Sequence, residues 1–402
     1  MTRTYTSIIC FVGLSLFSIC KGYGQPSAPQ VGSLFGKYES ANIDTTNKEQ
    51  VIHEPRAAFS NTRKPAFLNL MDPSKWFHNR NRMDTTLAIL PDSVATVPFA
   101  FADFSWLNGT SRKTSDPAFD SKYFTGDVTF DFNYTHSYNK PIDNTVVGST
   151  ALSRNNELQL SFLGVGGDIH YNNVRGRIMM QFGTRSTVVP RNDGSSYKGQ
   201  YDLQTIYRYI SEAYAGYHWN VWHGINLDAG IFMSYIGLFS YNNFENWGYQ
   251  PSYTSDNTPW FFNGLRLQTF PSDKLKVELW LINGWQSYAM FNHSPGMGAS
   301  IYYRPMEREA FVFNNYYGKD DEGAPGRLRF HSDNSYEYRY FNHPKGSFIT
   351  KAAFSFTGDF GFENGDGVSP FGKTNASTGT KLPSQNFISG MVYNRLWFGE
   401  HF

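Results

Sequence analysis

Cysteine is almost missing from this 402-residue chain: Cys10 and Cys20 are the only two, and both lie within the first two dozen residues. Beyond them no disulfide framework or thiolate metal site is available. Charge is also scarce, since Asp, Glu, Lys and Arg make up 17% of the residues against about a quarter in ordinary soluble domains. The formal net charge of +1 gives no basic surplus for nucleic acid. After the N-terminal two dozen residues no apolar run approaches the roughly eighteen needed for a membrane-spanning helix, and the mean hydropathy is negative. These shortages exclude a helical membrane protein and a disulfide-stapled secreted domain. They leave a β-barrel open, because every second residue of a barrel strand can be polar. Aromatic residues, at 17%, are abundant.

Arg3, an apolar run from Ile8 to Cys20 and the small residues Gly22 and Gly24 read as a secretory signal, residues 1–24, cleaved after Gly24. Ile19 before Cys20 does not suit lipoprotein processing, which needs a small residue there. Residues 25–96 are polar, hold Pro26, Pro29, Pro55, Pro65, Pro73 and Pro91, and keep no period, so they read as an irregular N-terminal extension or a plug inside a lumen. Asp44-Thr45-Thr46, Asp84-Thr85-Thr86 and Asp92-Ser93-Val94 match a three-residue O-glycosylation acceptor pattern, but such short matches are common by chance and a plain polar linker is the simpler reading.

From Asp127 to Tyr138 the chain alternates without a break. Val128, Phe130, Phe132, Tyr134, His136 and Tyr138 fall on one face, and Asp127, Thr129, Asp131, Asn133, Thr135 and Ser137 on the other. At about 3.3 Å per residue such a tilted strand crosses a hydrocarbon layer about 25–30 Å thick. The pattern recurs over 157–171, 174–185, 206–219, 225–235, 259–270, 275–285, 295–303, 309–317, 333–341, 347–361 and 385–398. With the opening strand these predict twelve strands in residues 97–402; Phe99 to Trp106 is a candidate thirteenth. Short turn-rich breaks near 172–173, 220–224, 271–274, 304–308 and 342–346 alternate with long ones at 139–156, 186–205, 236–258, 286–294, 318–332 and 362–384. A transmembrane barrel sorts its connections in this way, with tight turns on one rim and loops on the other. The expected fold class is therefore all-β, an antiparallel up-and-down transmembrane barrel. A phase slip near Phe162-Leu163 predicts a bulge. Aromatics at strand ends, Tyr207, Tyr209, Tyr217, Trp219 and Trp222 or Trp260, Phe261, Trp280 and Trp285, suit interfacial girdles.

Particular segments add a family likeness: FSWLNG at 104–109, FNYTHSYNKP at 132–141, RGRIMMQFG at 175–183, the long block from Ser211 to Tyr253, NTPWFFNGLRLQ at 257–268 and INGWQSY at 282–288. Over residues 101–398 the chain resembles the β-barrel porin-2 (OmpL-like) family of Bacteroidota outer-membrane proteins. The resemblance implies a Gram-negative outer-membrane barrel with a pore role and says little about the solute. That family's pattern continues past a segment like MVYNRLWF with further strands, so the chain reads as a fragment or a shortened member of a larger barrel. Twelve strands nonetheless permit closure with both ends on one side, and Phe402 resembles an aromatic assembly signal that Glu400 fits poorly.

The strand phases turn Arg175, Arg177, Arg185, Arg208, Glu212, Asp228, Arg266, Lys276 and Glu278 inward as candidate pore-lining residues. Facing charges that merely pair across strands are the plainer reading for most of them. Arg175, Arg177 and Arg185, on one expected strand, would favour anions. The loop 236–258 carries Phe239, Tyr241, Phe244, Trp247, Tyr249 and Tyr253, too aromatic for a solvated excursion, and is expected to fold inward as a constriction or to stack on a sugar ring. No catalytic constellation, metal site or cofactor is expected: His218 and His223 flank a turn without a third ligand, and GVGG at 164–167 opens no helix. The expected function is a non-enzymatic porin-like channel in contact with outer-membrane lipid, passing small hydrophilic solutes, as a monomer or a trimer. A non-conducting barrel that binds glycans or surface partners, and an exported soluble β-sandwich that binds carbohydrate, are the alternatives.

Overall fold

The computed structural model describes residues 97–399 apart from 114–116, 118, 196–198, 291, 322 and 345–347. The expected signal, the extension 25–96, the glycosylation matches, Glu400 and Phe402 lie outside the described residues.

Twelve strands form one antiparallel sheet in which each pairs with its neighbour in sequence, from β1 to β12. They are β1 (Phe124–Tyr134), β2 (Leu158–Tyr171), β3 (Val174–Phe182), β4 (Ile210–Trp219), β5 (Ile225–Met233), β6 (Phe261–Ser272), β7 (Leu275–Ile282), β8 (Gly296–Met306), β9 (Glu309–Gly318), β10 (Leu328–Asn342), β11 (Ile349–Asn364) and β12 (Asn386–Phe398). A single sheet with nearest-neighbour order removes the two-sheet sandwich from consideration. Among the described residues β1 and β12 do not pair with each other. The sheet is curled all the same, because side chains of both end strands reach one interior loop: Tyr249 bonds Asp131 and Asn133 of β1, while Thr254 bonds Ser389 of β12.

The burial pattern is that of a soluble protein turned inside out. On β1 the apolar row Val128, Phe130, Phe132 and Tyr134 is 57–64% exposed, whereas Thr129 and Asp131 between them are 6% exposed. On β7, Leu279 and Leu281 are exposed and Glu278 and Trp280 are buried. Opposite residues in a ladder share a face, so Val128 meets Val165 and Phe130 meets Leu163 on the outside. Such an apolar outer band is stable against acyl chains and costly in water.

Local chemistry sets the ends of the strands. Asn172, in the two-residue turn between β2 and β3, has φ +52°, a left-handed conformation that asparagine tolerates. The bulge falls between Asp131 and Phe132, where the partner register jumps from Phe162 to Leu160 and leaves Ser161 unpaired, one residue from the expected slip. Two expectations fail. Phe99 to Trp106 is no strand but a run of turns, with Phe99 at φ +62°, and it packs inside the sheet through Phe104, Trp106 and Leu107 against Ala310 and Ala353. Trp260, Phe261 and Trp280 are buried (1%, 2% and 4% exposed) and do not stand at a lipid interface. Tyr209, Tyr217, Trp219 and Trp222 are exposed, as girdle residues should be.

Candidate functional site

The inner face of the sheet is a mosaic of charges, and strand order explains its pairs. Arg177 on β3 reaches both neighbouring strands and one beyond: Glu212 on β4 at 2.6 Å, Asp168 on β2 at 3.0 Å and Asp127 on β1 at 3.1 Å. Arg266 on β6 binds its ladder partner Asp228 at 2.8 Å and lies over the rings of Tyr214, Phe232 and Trp280. Arg175 stands 3.4 Å from the other oxygen of Asp228. Lys276 pairs with Glu278 at 2.9 Å, and Glu278 also accepts from Gln268 at 2.7 Å. Further round, His331 meets Asp359 at 3.1 Å and Arg329 meets Glu363 at 2.7 Å. Each of these wall groups thus faces one of opposite kind, the condition under which charges survive away from bulk water.

Two candidates sit elsewhere. Arg208 follows the short helix α2 (Leu203–Tyr207) in the long β3–β4 connection, where it donates to the Thr187 hydroxyl and lies over Tyr209. Arg185 begins the short helix α1 (Arg185–Val188) beyond the end of β3 and is 1% exposed. Arg175, Arg177 and Arg185 therefore do not form one row on one strand.

Arg185 instead holds the interior loop. Its guanidinium donates to the Tyr241 carbonyl and to Asn243 Oδ1, and lies 5.7, 4.7 and 5.2 Å from the ring centres of Phe162, Tyr241 and Trp260. Burial among these rings lowers its pKa. The Tyr241 hydroxyl donates to Gln181 at 2.6 Å, and Gly237 N–H donates to Asp333. The loop ends in the short helix α3 (Tyr253–Asp256), capped by the Ser252 hydroxyl accepting from Ser255 N–H. Of its six aromatics, Tyr241 is buried and Phe239, Phe244, Trp247 and Tyr249 are half-buried within the curled sheet, whereas Tyr253 points out and is 69% exposed. Asp256, with bonds to Thr150 and Gln250, has its carboxyl pushed up to about 6 by burial.

A second inserted segment, residues 97–113, meets this loop. Asn108 is the clamp: its N–H donates to Glu337 at 2.8 Å, its side-chain amide donates to Leu238 O at 2.9 Å, and its Oδ1 accepts from Trp247 N–H at 2.7 Å. Gly109 follows at φ +71°, and a β-carbon there would come within 2.9 Å of Ser240 N. Trp106 donates to Glu307 O at 2.9 Å and accepts from the Trp247 indole at 3.1 Å. These residues escaped the pattern-based expectation, although Asn-Gly directly after Trp-Leu is a turn signal that could have pointed to them.

At the short-turn rim His218 bonds Asn226 and Asn220, and with His223, Arg175, Lys276 and Arg304 it lines a cavity of about 440 Å³.

A curled sheet with a lipid-ready outside, a charged and paired inside, and connections sorted by length defines a transmembrane β-barrel wall. The family described as "Putative beta-barrel porin-2, OmpL-like" matches residues 123–387. The chain belongs to that family, and so to the porin-like barrels of the outer membrane. No curated protein matches the chain.

Proposed function

We propose that the protein is an outer-membrane channel for passive diffusion of small hydrophilic solutes, with its lumen narrowed by the loop 236–258 and the segment 97–113. One observation carries this reading: the ion-paired polar face is turned inward while the apolar face is turned out, which suits a wetted interior. Arg175, Arg177, Arg266 and Lys276, with Glu212, Asp228 and Glu278 buried beside them as counter-charges, set the wall field that solutes would meet. Arg185, Tyr241, Trp247 and Tyr249 set the constriction, and Arg208 stands in a loop of the outer vestibule. Arg177 is neutralised by its carboxylates, so Arg175, about a third exposed and with one long ion pair, carries any anion attraction. An N-terminal signal directs export, and no cofactor is required.

Liposome swelling with sugars of graded size tests the channel. Swelling that falls off with solute size is expected, and its absence with correctly folded protein would overturn it. Single-channel recordings of an Arg175→Ala, Arg177→Ala double variant should show reduced anion preference. An unchanged preference would refute the electrostatic part alone.

A further inference from the structure

The long-loop rim carries a composite cleft that the channel reading does not use. One part, about 460 Å³, is built by four connections and β10, with Asn192, Asp256, Asn257, Trp260, Gln286 and Asp320 among its lining residues. The adjoining part, about 280 Å³, lies against β10, β11 and β12 and includes His331, Glu363, Gln385, Asn386 and Phe387. Asn257, Trp285 and Arg329 line both parts, so the two adjoin as one composite depression. Together they fall within the roughly 300–1,000 Å³ typical of small-molecule sites.

Its chemistry is specific. The walls present side-chain amides, carboxylates and one guanidinium beside aromatic rings. Two deeply buried lining residues each keep one buried polar atom without a partner: the Trp260 indole N–H, a donor, and Asp320 Oδ1, an acceptor. Asp320 uses its other oxygen for Trp285 N–H and the Tyr316 hydroxyl, both at 2.5 Å, which leaves Oδ1 for something else. An unmatched buried donor and acceptor each carry a desolvation cost. A metal ion would satisfy the acceptor and repel the donor. An alcohol hydroxyl, which both donates and accepts, satisfies either.

We propose that this cleft is a saccharide-binding site, with Trp285 as the platform for the C–H face of a pyranose and Asn257, Gln286, Asp320 and Arg329 as partners for ring hydroxyls. A saccharide combines flat apolar C–H faces with equatorial hydroxyls, the pairing that an aromatic ring set among planar polar side chains recognises. The site does not depend on the lumen conducting. It faces the rim of long connections, the side from which an external sugar would arrive in a porin-like barrel.

The test uses the full chain refolded in detergent and titrated by calorimetry and tryptophan fluorescence with glucose, galactose, N-acetylglucosamine, maltose and lactose, and separately with purified lipopolysaccharide. At least one probe is expected to bind saturably. Free-sugar binding marks a soluble ligand, binding of lipopolysaccharide alone marks a membrane-borne glycan, and either supports the site. Trp285→Ala should weaken binding by about tenfold or more, as expected for loss of an aromatic anchor. Because Trp285 also packs on Tyr316 and His331 and lies beneath the Arg329 guanidinium, the second variant is Asn257→Trp, at an exposed position whose side chain gives up a bond to Tyr253 O; it fills the cleft mouth and should abolish binding. Trp222→Ala, on the opposite rim, should change nothing. Binding by no probe, or binding that survives Asn257→Trp, overturns the proposal.

Discussion

Removing Arg185 should release the interior loop. The guanidinium makes two charge-assisted hydrogen bonds to residues 241 and 243, each worth about 1.5–3 kcal/mol. Ring contacts with Phe162, Tyr241 and Trp260 add about 0.5–2 kcal/mol. Against this stands the burial of a cation that forms no ion pair among the described residues, a penalty of several kcal/mol that truncation relieves. We expect a net loss of about 2–4 kcal/mol in loop docking for Arg185→Ala, which raises the undocked population by roughly 30-fold to 1,000-fold. Limited proteolysis of the refolded protein in detergent reads this directly, through new cleavage within 236–258, and planar-bilayer recordings should show larger or flickering conductance. Arg185→Lys, which keeps charge but loses the planar fork, should fall between the two. If Arg185→Ala leaves the cleavage pattern and the conductance unchanged, the loop is held by other contacts and the reasoning fails.

Three further outcomes follow from the same structure. Asp256 has a folded pKa of about 6 against an ordinary 3.8, so its ionised form is disfavoured in the fold; this cost is full above pH 6, fades as pH falls and is gone below about 4. The thermal midpoint should therefore rise between pH 7 and 4.5, and Asp256→Asn should flatten that rise; an unaltered pH profile in the variant would contradict it. Gly298→Ala should destabilise the barrel by about 1–3 kcal/mol, because the new methyl would sit 1.9 Å from the Tyr235 hydroxyl that bonds Asn315 O on β9; urea titration with an unshifted midpoint would refute it. Phe130→Arg, on the exposed outer row, should cost about 2–4 kcal/mol of insertion into bilayers if that row lies at mid-depth. Equal vesicle incorporation of variant and parent would show that the outward face does not meet lipid.

The wall was legible because lipid imposes a two-residue period that survives in the chain, and because loop length sorts by rim. The observed strands differ from the expected ones mainly at their ends; β10, for example, begins at Leu328, five residues before the expected Asp333. What fills the wall was only half legible. The aromatic richness of 236–258 pointed inward, but nothing in its pattern names Arg185, a residue outside the loop, as its anchor. Phe99 to Trp106 is apolar and aromatic enough to pass for a strand, and nothing in its sequence signals the left-handed backbone at Phe99. Trp260 and Trp280 read as girdle residues because a strand-end aromatic looks the same whether its neighbour is an acyl chain or a folded loop.

Asn133 and Ser389 lie far apart along the chain and at opposite ends of the sheet order, yet both are bonded to residues 249–254. The loop is therefore a template as well as the proposed obstruction. The first hairpin and the last strand are both tied to it, so their mutual position depends on how the loop is seated. A cut in that interior loop would loosen the seam between the outermost strands before it widened the proposed passage.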